Sequence, residues 1–184
     1  MEFEANSPMT RSESETALLQ SLMQRLTQKI QRDHLVQDTT DALRQRLHVE
    51  RVVLYHFYNE WEGRVTFESL SDHQWSIFGS TGPSQCFTDE YAALYLEGRV
   101  RAIPDIELEA IEPCHREFLK ELKVRANLVV PILTNHRLWG LLVAHACSGP
   151  RIWTEGEIQQ MRKAALTLAD APSISLPLAM NLEQ

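Results

Sequence analysis

The sequence is short of cysteine, of positive charge and of long apolar runs, and each shortage closes off a class of function. Three cysteines in 184 residues, Cys86, Cys114 and Cys147, are too few and too widely spaced for a disulfide framework or a zinc ribbon. In a reducing cytosol a free cysteine is commonly a small buried hydrophobe, and that plain reading stands for all three until their neighbours are weighed. Lysine and arginine number 18 against 25 aspartates and glutamates, a net charge of -7. Nucleic acid and anionic membrane surfaces both need a basic face, so neither is expected as a partner. No apolar run approaches the roughly 20 residues that span a bilayer. The polar, acidic start from Met1 to Glu15 has no apolar stretch of the kind a secretory signal carries. A cytoplasmic location is therefore expected. Catalytic signatures are also missing. There is no His-Glu-x-x-His, no phosphate-binding loop and no dinucleotide fingerprint. Cys114 and His115 are adjacent, whereas a Cys–His nucleophile pair normally converges from separate elements. The chain reads as a non-enzyme without a metal site.

What is present divides into one domain with two extensions. Positions 1–33 read as a polar tail and linker helix, 34–171 as the domain, and 172–184 as an irregular tail broken by Pro172 and Pro177. Leu19, Leu22, Met23, Leu26 and Ile30 recur at helical spacing. A break near Asp33 is followed by a second stripe of Leu35, Val36, Thr39, Leu43 and Leu47. The first stripe has the weaker claim on the core and suits pairing with a second copy of the chain. Arg51–Tyr58 and Arg64–Leu70 read as a hairpin, and Leu128–Leu133 with Leu138–Cys147 as another. Between the hairpins a short helix is expected over Thr88–Glu97, an edge strand over Arg99–Ile106, and a helix over Cys114–Leu122 introduced by Pro113. Thr154 and Glu157 form a capping box opening a helix that runs to Ala171. The order predicts an α+β fold, an antiparallel sheet with helices on one face.

The segment 71–122 is too long for a mere connection, and long insertions in compact domains usually carry function. Its residues, with those that follow, carry a resemblance. Pro113-Cys114-His115-Arg116-Glu117-Phe118-Leu119, then Val124-Arg125-Ala126-Asn127-Leu128-Val129-Val130-Pro131-Ile132, resemble the GAF domains of cyanobacteriochromes. So do Leu138-Trp139-Gly140-Leu141-Leu142-Val143-Ala144-His145, Cys147-Ser148-Gly149-Pro150-Arg151, and upstream Cys86-Phe87 and Gly98-Arg99-Val100-Arg101-Ala102-Ile103-Pro104-Asp105-Ile106. The motifs are collinear and run from about Leu35 to Ala171.

The resemblance implies a GAF fold and a photoreceptor of the phytochrome superfamily that holds a linear tetrapyrrole, phycocyanobilin or its isomer phycoviolobilin. Cys114 matches the cysteine whose sulfur forms the thioether, and a helix N-terminus favours its thiolate. His115 matches the histidine packed near the inner nitrogens, and His145 the histidine near the D-ring. Without the family, His115 reads as a helix-start histidine and His145 as a satisfied core residue. Cys86 matches the second cysteine of the dual-cysteine group, which adds reversibly at the C10 bridge. That group carries an Asp where this sequence has Ser84, and serine supplies no counterion; Asp89, Glu90 and Asp105 are candidates to replace it. Arg99 and Arg101 suit the bilin propionates, with solvated strand charges as the plain alternative. Tyr91 and Tyr95, four apart on one helix face, either line the pocket or simply pack. The family further implies Z/E isomerisation at C15 and an output domain such as a histidine kinase, while the first apolar stripe suits a homodimer through the N-terminal helix. A GAF module without pigment, serving small-ligand binding or dimerisation, is the alternative.

Overall fold

The computed structural model describes residues 11–59, 62–82, 89–135 and 137–175. The chain opens with two helices, α1 (Arg11–Arg32) and α2 (His34–Leu47), divided at Asp33. Asp33 is extended and its carboxylate accepts from the Leu35 amide at 3.0 Å, so it caps α2 where the sequence breaks the stripe. Its other oxygen accepts from the Ser173 amide at 2.9 Å, tying the two ends of the domain together. At the far end of α2, His48 takes a left-handed conformation and its amide closes on the Arg44 and Gln45 carbonyls, which stops the helix.

Five strands follow in the spatial order β2-β1-β5-β4-β3, all antiparallel to their neighbours. They are β1 (Arg51–Asn59), β2 (Glu62–Leu70), β3 (Arg101–Ile103), β4 (Ala126–Thr134) and β5 (Arg137–Ala146). β3 is well under half the length expected over Arg99–Ile106 and pairs with Asn127–Val129. Beyond that point β4 has no strand partner on this side among the described residues, which suits the presence of Pro131, a residue with no amide to donate.

Period two sorts each strand onto two faces. Val52, Leu54, Leu128, Val130, Ile132, Leu142 and Ala144 face α2 and α5 (Glu155–Ala169), where Met161, Ala165 and Leu168 complete the main core. The C-terminal half of α1 joins them through Leu26 and Ile30, which corrects its weaker claim on the core; Leu18 and Leu19 near its start stay exposed. A bulge opposite Ile132 and Leu133 lets Trp139 turn to this face as well, where it stacks on His56 with ring centroids 4.4 Å apart. The capping box at Thr154 is formed: Glu157 accepts from the Thr154 amide at 2.8 Å, and Thr154 Oγ1 accepts from the Glu157 amide at 3.3 Å.

Two expectations need correction. Helices cover both faces of the sheet, not one, because α3 (Asp89–Leu96) and α4 (Pro113–Glu121) lie against the opposite face. The chain also forms one more helical turn, α6 (Pro172–Ser175), after α5. Pro172 is at the first position of that turn, where its missing amide costs nothing. No helix among the described residues is long and apolar enough to cross a membrane.

Candidate functional site

The second face of the sheet does not close. Val53, Tyr55 and Phe57 of β1, Val65 of β2, Val129 of β4, and Leu141 and Val143 of β5 floor a mainly apolar cavity of about 120 Å³. Its roof and walls come from three places. Tyr95 of α3 is buried against the floor. His115, Phe118 and Leu119 of α4 line another side, with Leu122 just beyond the helix. Ile77 and Ser80–Gly82 form the third wall, which is pinned to the sheet. There the Gly82 amide donates to Tyr55 Oη at 2.8 Å and the Val65 amide to the Ser80 carbonyl at 2.9 Å. Burial, with a smaller effect from nearby acidic groups, pushes the Tyr55 phenol up to about 12, so it stays neutral.

Polar side chains enter this face at a few points, and three of them form a row. Arg51 of β1 is opposite His145 of β5, which is opposite Asn127 of β4. Arg51 is fully buried and His145 and Asn127 nearly so. Arg51 Nε donates to His145 Nδ1 at 2.9 Å, and its two terminal nitrogens donate to the Trp75 carbonyl at 2.5 Å and the Leu122 carbonyl at 2.7 Å. Burial, and then the Arg51 charge, hold His145 well below the ordinary histidine range, so it is neutral at pH 7. Asn127 Oδ1 is buried with no hydrogen-bond partner. An unpaired buried acceptor costs about 1–3 kcal/mol, and in a cavity wall it marks a place for a ligand donor.

The residues expected to form a site divide as follows. His115, His145, Tyr95 and Arg101 are brought to the cavity. His115 is held low by burial and then by the Arg101 charge, and Arg101 donates to Glu109 at 3.1 Å. Cys114 is exposed on the first turn of α4, one residue before His115, and is disulfide-bonded. Arg99 is half-buried and lies outside the lining given by the described residues. Tyr91 is on α3, and its side chain is outside the described set. Ser84 and Cys86 lie in 83–88, also outside the described residues. Cys147 is free and half-buried, and burial pushes its thiol up to about 11, away from reactivity. Asp105, a candidate to replace the missing motif Asp, is engaged elsewhere: both its oxygens accept from Arg125 at 2.8 Å. Among the described residues no group of His, Cys, Asp and Glu is arranged to hold a metal.

Arg51 and Asn127 escaped the sequence reading. The available signal was an arginine opening an otherwise apolar strand and an asparagine inside the run Ala126–Ile132, each out of place on a buried strand.

Comparison with known proteins places this geometry in a family. The GAF domain model matches residues 31–171. An uncharacterized protein of Picosynechococcus is 47% identical over 82% of this chain and 93% of its own length. The circadian input-output histidine kinase CikA of Synechocystis is 29% identical over 78% of this chain, which spans 22% of that kinase. Among solved structures, the cyanobacteriochrome receptor PixJ superposes with a TM-score of 0.65 at 36% identity, covering 72% of this chain and 91% of that one. The phycocyanobilin-bound GAF domain of a cyanobacterial phytochrome gives a TM-score of 0.65 at 28% identity, covering 82% and 93%. With a cavity on one face of an antiparallel five-stranded sheet and a match across its whole domain, the chain belongs to the GAF domain family and resembles the cyanobacteriochrome photoreceptors within it.

Proposed function

We propose that this chain is a light-sensing domain that holds a linear tetrapyrrole, phycocyanobilin or phycoviolobilin, in the cavity and is joined to it by a thioether from Cys114. The observation that carries this reading is the cavity itself. It is apolar enough to take a flat conjugated ligand, and its few polar groups suit the edge of one: neutral His115 and His145, the Arg101 cation and the unpaired Asn127 acceptor. When bound, the bilin supplies visible absorption and a C15 double bond that light can isomerise.

The side chains then have distinct tasks. Cys114 offers its sulfur from an exposed helix start beside the cavity, once its disulfide is reduced. His115 packs against the ligand near its inner nitrogens, Tyr95 and Tyr91 line its pocket, and Arg101 and Arg99 pair with its propionates. His145 donates to its far end. Cys86 supplies a second, reversible thioether at C10, with Ser84 leaving the counterion role open. The change passes to α1 and onward to an output domain such as a histidine kinase, and exposed Leu18 and Leu19 support pairing with a second copy.

The test is co-expression with bilin biosynthesis, reduction, and a denaturing gel read by zinc fluorescence. The wild type should fluoresce and Cys114→Ala should not. A covalent adduct retained in Cys114→Ala overturns the attachment. A colourless wild type, with bilin synthesis confirmed, replaces this reading with that of a pigment-free binding or dimerisation module.

A further inference from the structure

The row Arg51–His145–Asn127 determines more than packing. A guanidinium has only donors and keeps its proton in proteins. The atom facing Arg51 Nε at 2.9 Å must therefore be an acceptor, and that atom is His145 Nδ1. A doubly protonated imidazole would set N–H against N–H here. A neutral imidazole protonated at Nδ1 would do the same. Only one form remains, the neutral ring with its proton on Nε2. Arg51 is itself held from two further directions. It donates to the Leu122 carbonyl just past the end of α4, where the helix dipole favours a cation, and to the Trp75 carbonyl. Burial disfavours its charge, and Glu68 and Glu50 oppose that through space without outweighing it. Its orientation is thus fixed by groups other than the histidine.

We propose that Arg51 is a positioning residue that locks His145 as the Nε2–H tautomer, so that the cavity presents a hydrogen-bond donor beside the unpaired acceptor of Asn127. A donor and an acceptor on adjacent strands match a ligand edge carrying both a carbonyl and an N–H, the chemistry of an amide or lactam. His56 is the internal contrast. Its Nδ1 faces the Trp139 carbonyl at 2.8 Å, so it must carry its proton on Nδ1. Two histidines in one sheet, His145 buried and His56 half-buried, are set to opposite tautomers by what faces them. The tautomer stands without any pigment, while its use against a bilin lactam rests on the reading above.

The experiment is nuclear magnetic resonance on reduced, pigment-free protein labelled with nitrogen-15 at histidine and arginine, with His145 and His56 assigned by His145→Gln and His56→Gln. His145 should show a protonated Nε2, a bare Nδ1, and a scalar coupling across the N–H···N bond to Arg51 Nε. His56 should show a protonated Nδ1. Protonation of His145 at Nδ1, or at both nitrogens, overturns the proposal, and so does the absence of the coupling. None of these readings requires a variant at Arg51. Arg51→Met, checked for native sheet dispersion, should lose the coupling and give a mixture of His145 tautomers; a pure Nε2–H form surviving there overturns the role of Arg51. Coupling present in a protein that takes up no bilin leaves this inference standing and removes only the pigment reading.

Discussion

The two faces of the sheet are built from the same strands and serve opposite ends. On the side of α2 and α5, Val52, Leu54, Leu128, Ile132, Leu142 and Ala144 are sealed with almost no accessible surface. On the other side, Val53, Phe57, Val129, Leu141 and Val143 are apolar too, but they floor a cavity. Hydrophobicity does not distinguish the faces; what does is that His56 and Ser69 on the sealed side have their partners, whereas Asn127 on the cavity side keeps an unpaired acceptor. Arg51, Arg101, Asn127 and His145 all fall on the cavity side, and their alternation in the ladder is what puts them there. One face is packed for density. The other keeps unspent hydrogen-bonding capacity, and stability there is given up for a place to bind.

That contrast can be broken most directly with one pair of substitutions. Leu142→Ala, on the sealed face, should cost about 3–4 kcal/mol, because no neighbour can collapse into the gap. Val143→Ala, one residue along and over the cavity, should cost about 1 kcal/mol. Urea unfolding of the two pigment-free variants checks this, and equal losses would erase the distinction. Acid should act next in size. His56 on the sealed side is pushed down to about 4, by burial outweighing its bond to the Trp139 carbonyl. Its folded value lies below its unfolded one, so its contribution is complete above about pH 6.5 and is lost as pH falls toward 4, on the order of 3 kcal/mol. The lowered carboxylates, Asp33, Glu50, Asp105 and Glu157, lose theirs only below their ordinary range, so the upper part of the window belongs to histidine. His56→Gln should flatten the pH dependence in part, and the remaining slope includes the lowered His115 and His145 of the cavity face. The smallest effect has the opposite sign. Asn127→Leu removes an unpaired buried acceptor and should stabilise pigment-free protein by about 1 kcal/mol while weakening ligand uptake. A loss of stability would mean that the acceptor is satisfied in solution.

Much of this was legible in the chain before any coordinates. Local chemistry gave the hairpins, the Asp33 break, the Thr154–Glu157 box and the helix start at Pro113, because caps and turns are set by neighbours in sequence. What escaped was set by distant partners. Runs such as Leu128–Ile132 and Leu141–Ala144 are apolar throughout because both faces are covered, so alternation could not say which side held the cavity, nor that α3 and α4 lay there. Arg51 bonds to Trp75, Leu122 and His145, which are far apart in sequence, and no local pattern announces such a hub. Asp105 was a reasonable counterion by position, yet Arg125 occupies both its oxygens. His115 and His145 were found through likeness to a family rather than spacing, and Cys86 and Ser84 lie outside the described residues.

Asp33 makes one side chain answerable for both ends of the domain. One carboxylate caps α2 with one oxygen and holds the Ser173 amide with the other. Parting α1 from α6 would break that charge-assisted hydrogen bond, worth about 1.5–3 kcal/mol, together with the packing that Ile30 and Ile174 share in the main core. The cap of α2 and the anchor of the C-terminal turn thus depend on one side chain, and losing its carboxylate would loosen both at once.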